Sequence, residues 1–388
     1  MKIALTPIDT LFFRDSTPFD QGASPQDGVP SVFPPHPPAV TGAIRAALAR
    51  ENGWNGRDPW DAVLVAALGD GPDVGPLRVT GPLVLRGDVP VFPLPRHVIA
   101  SRIDARGAAA PRWRATGWIA PGARVESDLG HVRLPVPKPM AGETDTPGAA
   151  DDKASRSRRP WVTAVGLYQI LDGCLPASTE LMDSSALWVE ELRVGIHRAS
   201  GTRTVERGML YSTRHVRLRR DVRIGVEVTG LPNGWTLLVD ARSSCPRTIA
   251  LGGESRLATA EAWSGLARGE RISEMPRRAG RLTLVALTPL RLARGAIAGC
   301  VPLAPGLRVA CACVDRPLRI GGWDSRQRVP LPLTNAVAPG TTLFCEASID
   351  VLDAPDSDLE RGLIRIGRDV DAGFGLCAVA RDPWEELP

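Results

Sequence analysis

The sequence predicts an α+β fold with mainly antiparallel sheets. Segments in which apolar and polar residues alternate are common along the 388 residues, whereas segments with the period of an amphipathic helix are rare. The chain also contains 39 glycines and 36 prolines, which interrupt regular structure often and keep its elements short. Short strands with few helices are typical of α+β domains.

The N-terminal half contains the predicted helices. Residues 1–15 predict a first strand, because they lack the long apolar region and the small-residue cleavage site of a signal peptide. Residues 37–50 predict a helix, since their apolar side chains recur on one face and a proline pair stands at the start. Residues 58–69 predict a second helix that ends at a glycine. Residues 157–171 fit either a helix or a strand.

The C-terminal half contains the clearest predicted strands. Residues 223–230 (RIGVEVTG) alternate apolar with polar or small residues, and residues 281–290 (RLTLVALTPL) have the composition of a buried strand. Residues 341–351 (TTLFCEASIDV) place five apolar or small side chains on one face and polar ones on the other. These segments supply the strands that the fold class requires.

Residues 104–160 differ in character from the rest of the chain. They are rich in Gly, Ala, Pro and charged residues, and their middle part (HVRLPVP) alternates like a hairpin. Their end (MAGETDTPGAADDKASRS) has the composition of a disordered segment. We interpret this region as a protruding insertion in the first domain, because a long loop inside a compact domain is usually functional or disordered.

The composition argues against a membrane protein, a secreted disulfide scaffold and a zinc protein. No apolar run approaches the length of a membrane span. The seven cysteines are odd in number and scattered, which indicates reduced core residues in the cytoplasm. The five histidines show no paired spacing, so no metal is expected.

Positive charge is concentrated in one stretch. The net charge is only +4, yet residues 193–223 contain nine Arg against Glu206 and Asp221. Arginine suits planar contacts to phosphate and stacking on bases. The stretch therefore suggests a polyanionic partner, although a solvated strand and loop face would have the same composition.

The C-terminal glycines match a cofactor motif without its context. Residues 373–378 (GFGLCA) fit the G-x-G-x-x-A spelling of dinucleotide-binding loops, but only ten residues follow them. A dinucleotide site needs a helix, a second strand and a ribose-binding acid after the loop. We therefore expect no cofactor. Paired glycines instead let another backbone approach closely.

Two further glycine loops lie near arginines. LGGESR spans residues 251–256, and LRIGGWD spans residues 318–324. Together with the C-terminal loop they are compatible with a nucleic-acid groove, in which backbone N–H groups and Arg bind phosphates and aromatic rings stack on bases. Ordinary turns remain an equally good interpretation of the composition.

No catalytic motif is apparent. The sequence contains no G-x-S-x-G, no H-E-x-x-H and no P-loop lysine. His197 beside Arg198 has the chemistry to cleave RNA through its 2′-OH, but a histidine at a strand end more often makes a hydrogen bond or contacts a phosphate.

An ordered set of motifs resembles a known family. The segments LTPIDTLFFRDSTPF, FPPHPPAVTGAIRAAL, VGIHRASGTRTVERGMLYSTRHVRLR, LGGESR, LRIGGWD and GFGL follow one another along the chain. In this order they resemble the third subunit of the type III-B (Cmr) CRISPR effector complex, a protein of the RAMP superfamily. The resemblance covers nearly the whole chain except the insertion at 104–160.

This resemblance implies a fold and a role. It implies two ferredoxin-like (RRM-related) domains, 1–215 and 216–388, with the insertion forming a thumb-like hairpin in the first. It also implies a cytoplasmic, non-catalytic subunit that grips the repeat-derived 5′ handle of the CRISPR RNA (crRNA). The partners would then be the large polymerase-type subunit and the RAMP backbone subunits.

The resemblance also implies a set of RNA-binding residues, which belong to the matching motifs or to the insertion. Within the insertion, Lys138 and the cluster Arg156, Arg158 and Arg159 are the expected contacts. The full set is Arg14, Lys138, His197, Arg198, Gly252, Gly253, Arg256, Arg319, Gly321, Gly322, Trp323, Gly373, Phe374 and Gly375. No residue is expected to be catalytic or to bind a metal.

Two other functions stay open at this point. A RAMP endonuclease that processes precursor crRNA would depend on His197. A protein–protein adaptor would instead use the arginines between residues 198 and 223 to meet an acidic partner.

Overall fold

The structure, a computed structural model, divides into two compact units that interleave along the chain. It describes residues 1–14, 29–103, 112–127, 130–139, 159–198, 201, 205–239, 246–266, 280–324, 329–348, 357–358, 362–380 and 384. Unit 1 comprises Met1–Pro82, Leu187–Trp263 and Arg319–Thr334, and unit 2 comprises Leu83–Ala186, Ser264–Leu318 and Asn335–Pro388. Neither unit is one continuous segment, and the division into domains 1–215 and 216–388 stays a prediction.

The helices and strands of the described part follow one another in this order. The helices are α1 (Pro37–Glu51), α2 (Ala62–Leu68) and α3 (Ala164–Leu171), and the strands are β1 (Lys2–Pro7), β2 (Arg78–Arg86), β3 (Val89–Pro93), β4 (Val98–Ile103), β5 (Arg112–Ser127), β6 (Gly130–Pro139), β7 (Trp161–Thr163), β8 (Leu181–Met182), β9 (Trp188–Arg198), β10 (Val205–Leu218), β11 (Val222–Thr229), β12 (Arg247–Ala250), β13 (Leu257–Ala262), β14 (Gly280–Ala286), β15 (Leu307–Cys313), β16 (Leu318–Asp324), β17 (Val329–Ala336), β18 (Thr342–Ala347), β19 (Ser357–Asp358), β20 (Leu363–Arg365) and β21 (Leu376–Val379).

Unit 1 is built on antiparallel strands in the order β12, β13, β1, β11. β1 lies between two partners, with Leu5 opposite Ala260 on β13 and Ile224 on β11. Ile224, Val226 and Val228 are completely buried, and the strand predicted from 223–230 is observed as β11. The buried side chains of these central strands form the core of the unit.

The helices of unit 1 begin and end where the sequence supplies caps. α1 begins at Pro37 and buries Val40, Ile44 and Leu48, in agreement with its prediction. α2 begins at Ala62, and the predicted start at residue 58 is wrong. The Asp61 side chain accepts a hydrogen bond from the Leu64 N–H, which fixes the first turn at this point.

A separate antiparallel ribbon in unit 1 joins β9 to β10. Glu191 lies opposite His215, and Arg193 lies opposite Thr213. Because side chains alternate along a strand, the odd-numbered residues of this segment share one face of the ribbon and the even-numbered residues share the other. A second ribbon joins β16 to β17.

The main sheet of unit 2 has the strand order β15, β18, β14, β21, β20, β19, and its printed pairings are antiparallel. Leu284, Leu343, Cys345 and Cys377 are fully or almost fully buried in its core. The predicted strand 341–351 is observed as β18; residues 349–351 lie outside the described part.

The segment predicted as helix or strand contains both. β7 ends at Thr163, and α3 begins at the next residue, Ala164. The Thr163 hydroxyl accepts a hydrogen bond from the Gly166 N–H at 3.1 Å and so caps the helix.

The insertion forms a hairpin in unit 2. β5 pairs antiparallel with β6, and β4 pairs with the other edge of β5. The structure thus has a hairpin within 104–160, whereas the thumb-like form that the resemblance implies stays a prediction. The end of the insertion that is expected to be disordered, 140–157, lies outside the described residues. Taken together, the sheets confirm a strand-rich α+β class with mainly antiparallel pairing; the ferredoxin-like assignment stays a prediction. Within the described ranges, every helix is too short or too polar to span a bilayer.

His97 in unit 2 is held as a neutral imidazole. Its Nδ1 lies 2.7 Å from the Thr342 hydroxyl, and its ring stacks on Trp118 with centroids 5.3 Å apart. Burial, with a smaller effect from Arg159, lowers the pKa of His97 to about 3. The folded protein therefore excludes a proton that the unfolded chain binds below about pH 6.5.

This histidine should make stability depend on pH. The stabilisation that depends on neutral His97 is fully present above the pKa of the histidine in the unfolded chain. It is lost as the pH falls from about 6.5 toward 3, and the free energy of unfolding then decreases by up to about 1.4 kcal/mol per pH unit. In urea unfolding from pH 7.5 to 4, we expect His97→Gln to flatten the dependence, whereas the control His131→Gln, at an exposed position, should not. Equal slopes for His97→Gln and the unmodified protein would contradict this assignment.

Candidate nucleic-acid interface

Three arginines from three segments of unit 1 converge on Asp9, just after β1. Arg193 of β9 lies 2.7 Å from one carboxylate oxygen, and Arg217 of β10 lies 3.0 Å from the other. Arg256, in the loop between β12 and β13, lies 3.3 Å from the carboxylate. We call Asp9, Glu191 and these arginines the arginine cluster.

A second carboxylate completes the arginine cluster. Glu191 accepts hydrogen bonds from the Nε atoms of both Arg193 and Arg217. Hydrogen bonds from Arg193 and Arg217 keep the pKa of Asp9 below its ordinary value, and those from Arg217 and Arg193 do the same for Glu191. Three guanidinium groups thus face two carboxylates, which leaves one positive charge and several N–H donors for an anion.

The Gly252–Gly253 loop brings Arg256 to the arginine cluster. The Gly253 N–H donates to the Phe12 carbonyl at 2.7 Å, and the Arg256 N–H donates to the Gly253 carbonyl at 3.2 Å. Gly252 has a φ of 84°, and a Cβ at this position would lie 2.5 Å from the Phe12 oxygen. Only glycine therefore allows the loop to approach this closely.

Phe12 and Phe13 are both buried although they are adjacent in the chain. The glycine loop covers both rings. A Cβ on Gly252 would lie 3.2 Å from the Phe13 ring, and one on Gly253 would lie 3.2 Å from the Phe12 ring. His215 stacks on Phe12 at a centroid distance of 5.0 Å.

His215 links the ribbon to the segment that follows β1. Its Nδ1 lies 3.0 Å from the Thr10 hydroxyl, and its Nε2 lies 3.1 Å from the Thr213 hydroxyl. Burial lowers the pKa of His215, and the nearby charges of Arg256 and Arg193 act in the same direction. A neutral His215 therefore ties β10 to the chain that carries Asp9.

The structure brings four of the predicted RNA-binding residues into this region of unit 1. Gly252, Gly253 and Arg256 form the loop, and Arg14 is exposed two residues beyond Phe12, where its backbone pairs with Ser31. His197 and Arg198 end β9, but their side chains lie outside the described part, as does that of Trp323. Arg319, Gly321 and Gly322 lie on β16 of the same unit.

The remaining predicted residues lie in unit 2. Phe374 is 1% exposed and forms part of the core, with the Arg291 guanidinium 4.2 Å from its ring centroid. Gly375 has a φ of 79°, and Gly373 precedes Phe374 with a φ of 100°. Lys138 is exposed on β6.

Of the arginines expected in the insertion, Arg159 is described and donates to the Val98 carbonyl. Arg156 and Arg158 lie outside the described residues.

Sequence reasoning did not single out Asp9, Glu191, Arg193 and Arg217. Arg193 and Arg217 belong to the basic stretch, but composition does not show which of its nine arginines share a face. The usable signal was alternation: Glu191, Arg193, Thr213, His215 and Arg217 all carry odd numbers in two segments that pair.

The chain matches the family model "CRISPR-associated protein (Cas_Cmr3)" over residues 3–381. No curated protein sequence is significantly similar to it. Similar solved structures include two described as cryo-EM structures of the Type III-B Cmr-beta bound to cognate target RNA, the second also with AMPPnP. These are 15% and 16% identical, cover 89% and 91% of this chain and 86% and 88% of those chains, and each has a TM-score of 0.45.

A third solved structure is described as a Csm3-Csm4 subcomplex of the type III-A CRISPR-Cas interference complex. It is 10% identical, covers 88% of this chain and 91% of that chain, and has a TM-score of 0.36. The match to the family model, by contrast, covers nearly the whole chain.

Proposed function

Because the chain belongs to the CRISPR-associated Cas_Cmr3 family, and so is a subunit of a type III-B effector complex, we propose that it is the RNA-binding subunit that holds the 5′ handle of the crRNA. In this proposal it is not an enzyme. It places the repeat-derived end of the RNA and links the large polymerase-type subunit to the RAMP backbone subunits.

The arginine cluster is the observation that supports RNA binding most directly. A phosphate group needs several convergent N–H donors, and Arg presents five of them in a planar fork. Asp9 and Glu191 hold Arg193 and Arg217 in place before any ligand arrives, so little side-chain entropy remains to be lost on binding. The adjacent glycine loop holds Arg256 beside Asp9, because Gly252 lets the loop pack closely on Phe12.

The proposed protein partners are supported by exposed aliphatic rows on the ribbons of unit 1. Leu192, Val194 and Ile196 project from one face of β9 and are 48–63% exposed. A similar row of three aliphatic side chains lies on β17. Rows of this kind on a soluble protein usually mark surfaces that a partner covers.

We expect Arg256→Gln to weaken binding to handle RNA about tenfold, because it removes one charge-assisted contact to phosphate. The dependence of log K on log salt should become shallower by about one unit. Arg223→Gln is a matched control: Arg223 is also in unit 1, is 19% exposed against 21% for Arg256, and pairs with Glu261 at 3.4 Å. Fluorescence anisotropy with RNA carrying the repeat-derived 5′ segment, at several salt concentrations, measures both effects.

Two results of this experiment would overturn the proposal. Equal affinity for RNA with a scrambled 5′ segment would exclude specific handle binding, and equal losses in both variants would exclude a local role for Arg256. Precursor RNA incubated with the same protein should stay intact. Cleavage that disappears in His197→Ala would favour the endonuclease alternative instead.

A further inference from the structure

Trp384, close to the C-terminus, is packed into the core of unit 2. Its side chain is 6% exposed, and its Nε1–H donates to the Cys345 carbonyl on β18 at 3.1 Å. The Phe344 ring makes a T-shaped contact with it at a centroid distance of 6.4 Å. Cys311 and Cys313 of β15 belong to the same buried cluster, against which Ile119 of β5 packs.

Two arginines from different structural elements lie over the Trp384 ring. The guanidinium of Arg281, on β14 of the main sheet, is 4.4 Å from the ring centroid. That of Arg133, on β6 of the insertion hairpin, is 5.6 Å away. Cations over an indole are attracted by its π-system, most strongly when water is excluded. Trp384 therefore connects the insertion hairpin to the main sheet.

The hairpin carries a charge conflict that the main sheet relieves. Arg133 lies directly opposite Arg124 on β5, and like charges in such cross-strand pairs are destabilising. Arg124 lies 3.6 Å from Glu346 of β18, while Arg133 lies over Trp384 and donates to the Gly122 carbonyl. Arg124 gains Glu346 as its partner, and Arg133 gains the Trp384 ring, only when this face of the hairpin lies against the sheet.

The opposite face of β6 is then fixed toward solvent. Leu134 and Val136 are exposed on that face, and Lys138 follows them two residues on. A hairpin held through Arg124 and Arg133 presents these side chains from one side.

We propose that Trp384 is a positioning residue for RNA binding. It anchors the β5–β6 hairpin on the β15–β18 edge of the sheet, so that the outer face of β6 meets the RNA already oriented. This inference rests on the proposed RNA-binding function, but the anchoring can be measured without RNA.

The test compares Trp384→Ala with Trp384→Phe in the full chain. Removing the ring should speed amide hydrogen exchange in β5 and β6 at least about tenfold. The hairpin can then open locally without having to break contacts to Trp384. Affinity for handle RNA should fall about fivefold, since the hairpin must be ordered during binding. Phe keeps an aromatic ring beside Arg133 and Arg281, so it should restore both properties to within about twofold.

Trp60→Ala is the matched control, because Trp60 in unit 1 also carries an arginine, Arg45, over its ring at 5.3 Å. It should leave β5–β6 exchange unchanged. If Trp384→Ala does not fold, Arg133→Gln removes the hairpin side of the contact alone and should loosen β5–β6 while β18 stays protected.

Each of three results would overturn the inference. Hairpin exchange that stays unchanged excludes the anchor. A loosened hairpin with unchanged RNA affinity excludes the positioning role. The Arg256→Gln experiment then still tests RNA binding independently. A loss of affinity without loosening means that Trp384 acts by another route. If Arg256→Gln has no effect either and no handle preference is found, the proposed function fails and the positioning role fails with it.

Discussion

Replacing Phe374 with Ala should lower the free energy of unfolding by about 3–5 kcal/mol. The ring is 1% exposed, so its removal leaves a cavity in the core of unit 2. The substitution also takes away the face on which Arg291 lies, and this arginine pairs with Asp369 at 2.6 Å. The flanking backbone has little room to relax into the cavity, because a Cβ on Gly375 would already lie 2.3 Å from the Ile366 oxygen.

Urea unfolding of the full chain measures this effect. Phe374→Leu is the control, since it keeps most of the buried volume and should cost less than about 1.5 kcal/mol. The opposite pattern, with stability unchanged and RNA affinity strongly reduced, would show that Phe374 contacts RNA, as the resemblance implies. The buried position of the ring leads us to expect the first pattern.

Gly252→Ala should destabilise unit 1 by about 2–4 kcal/mol and should remove Arg256 from the arginine cluster. The left-handed φ of 84° penalises any residue with a Cβ, and that Cβ would collide with the Phe12 carbonyl oxygen at 2.5 Å. To relieve the collision the loop must move away from Phe12, and Arg256 then leaves Asp9. RNA affinity should fall with stability.

Gly253→Ala separates the conformational effect from a general effect of adding a methyl group. Gly253 does not have a left-handed φ, and its Cβ would meet the Phe12 ring edge at 3.2 Å. A shift of a few tenths of an ångström relieves that contact, so the cost should stay below about 1.5 kcal/mol. Equal losses of stability in the two variants, measured by urea unfolding, would contradict the role given to the Gly252 backbone.

The sequence predicted those elements whose signals are local. The strand at 223–230 and the hairpin in the insertion show alternation within a few residues, and both are observed. The start of α2 was misplaced because a capping side chain, Asp61, decides it. The order of apolar and polar residues over 58–61 is also compatible with a helix. Periodicity alone could therefore not locate the start of α2.

The candidate site was predictable only in part, because long-range contacts create it. The glycine loop and Arg256 stood out as a motif, and the basic stretch stood out by composition. Arg193 and Arg217 reach Asp9 only through the pairing register of β9 and β10. Both phenylalanines are buried because a loop some 240 residues later covers them, which no local pattern reports.

The interleaving of the two units has a consequence for how the protein is made. Unit 1 starts with Met1 but includes Arg319–Thr334, and unit 2 starts at Leu83 and continues past that segment. A ribosome that delivers the chain from the N-terminus thus completes neither unit until most of the protein has emerged. Fragments cut at any single position leave at least one unit without part of its structure. Split versions and early stop codons should therefore yield insoluble or degraded protein, whereas insertions in the 140–158 segment leave the described parts of both units whole.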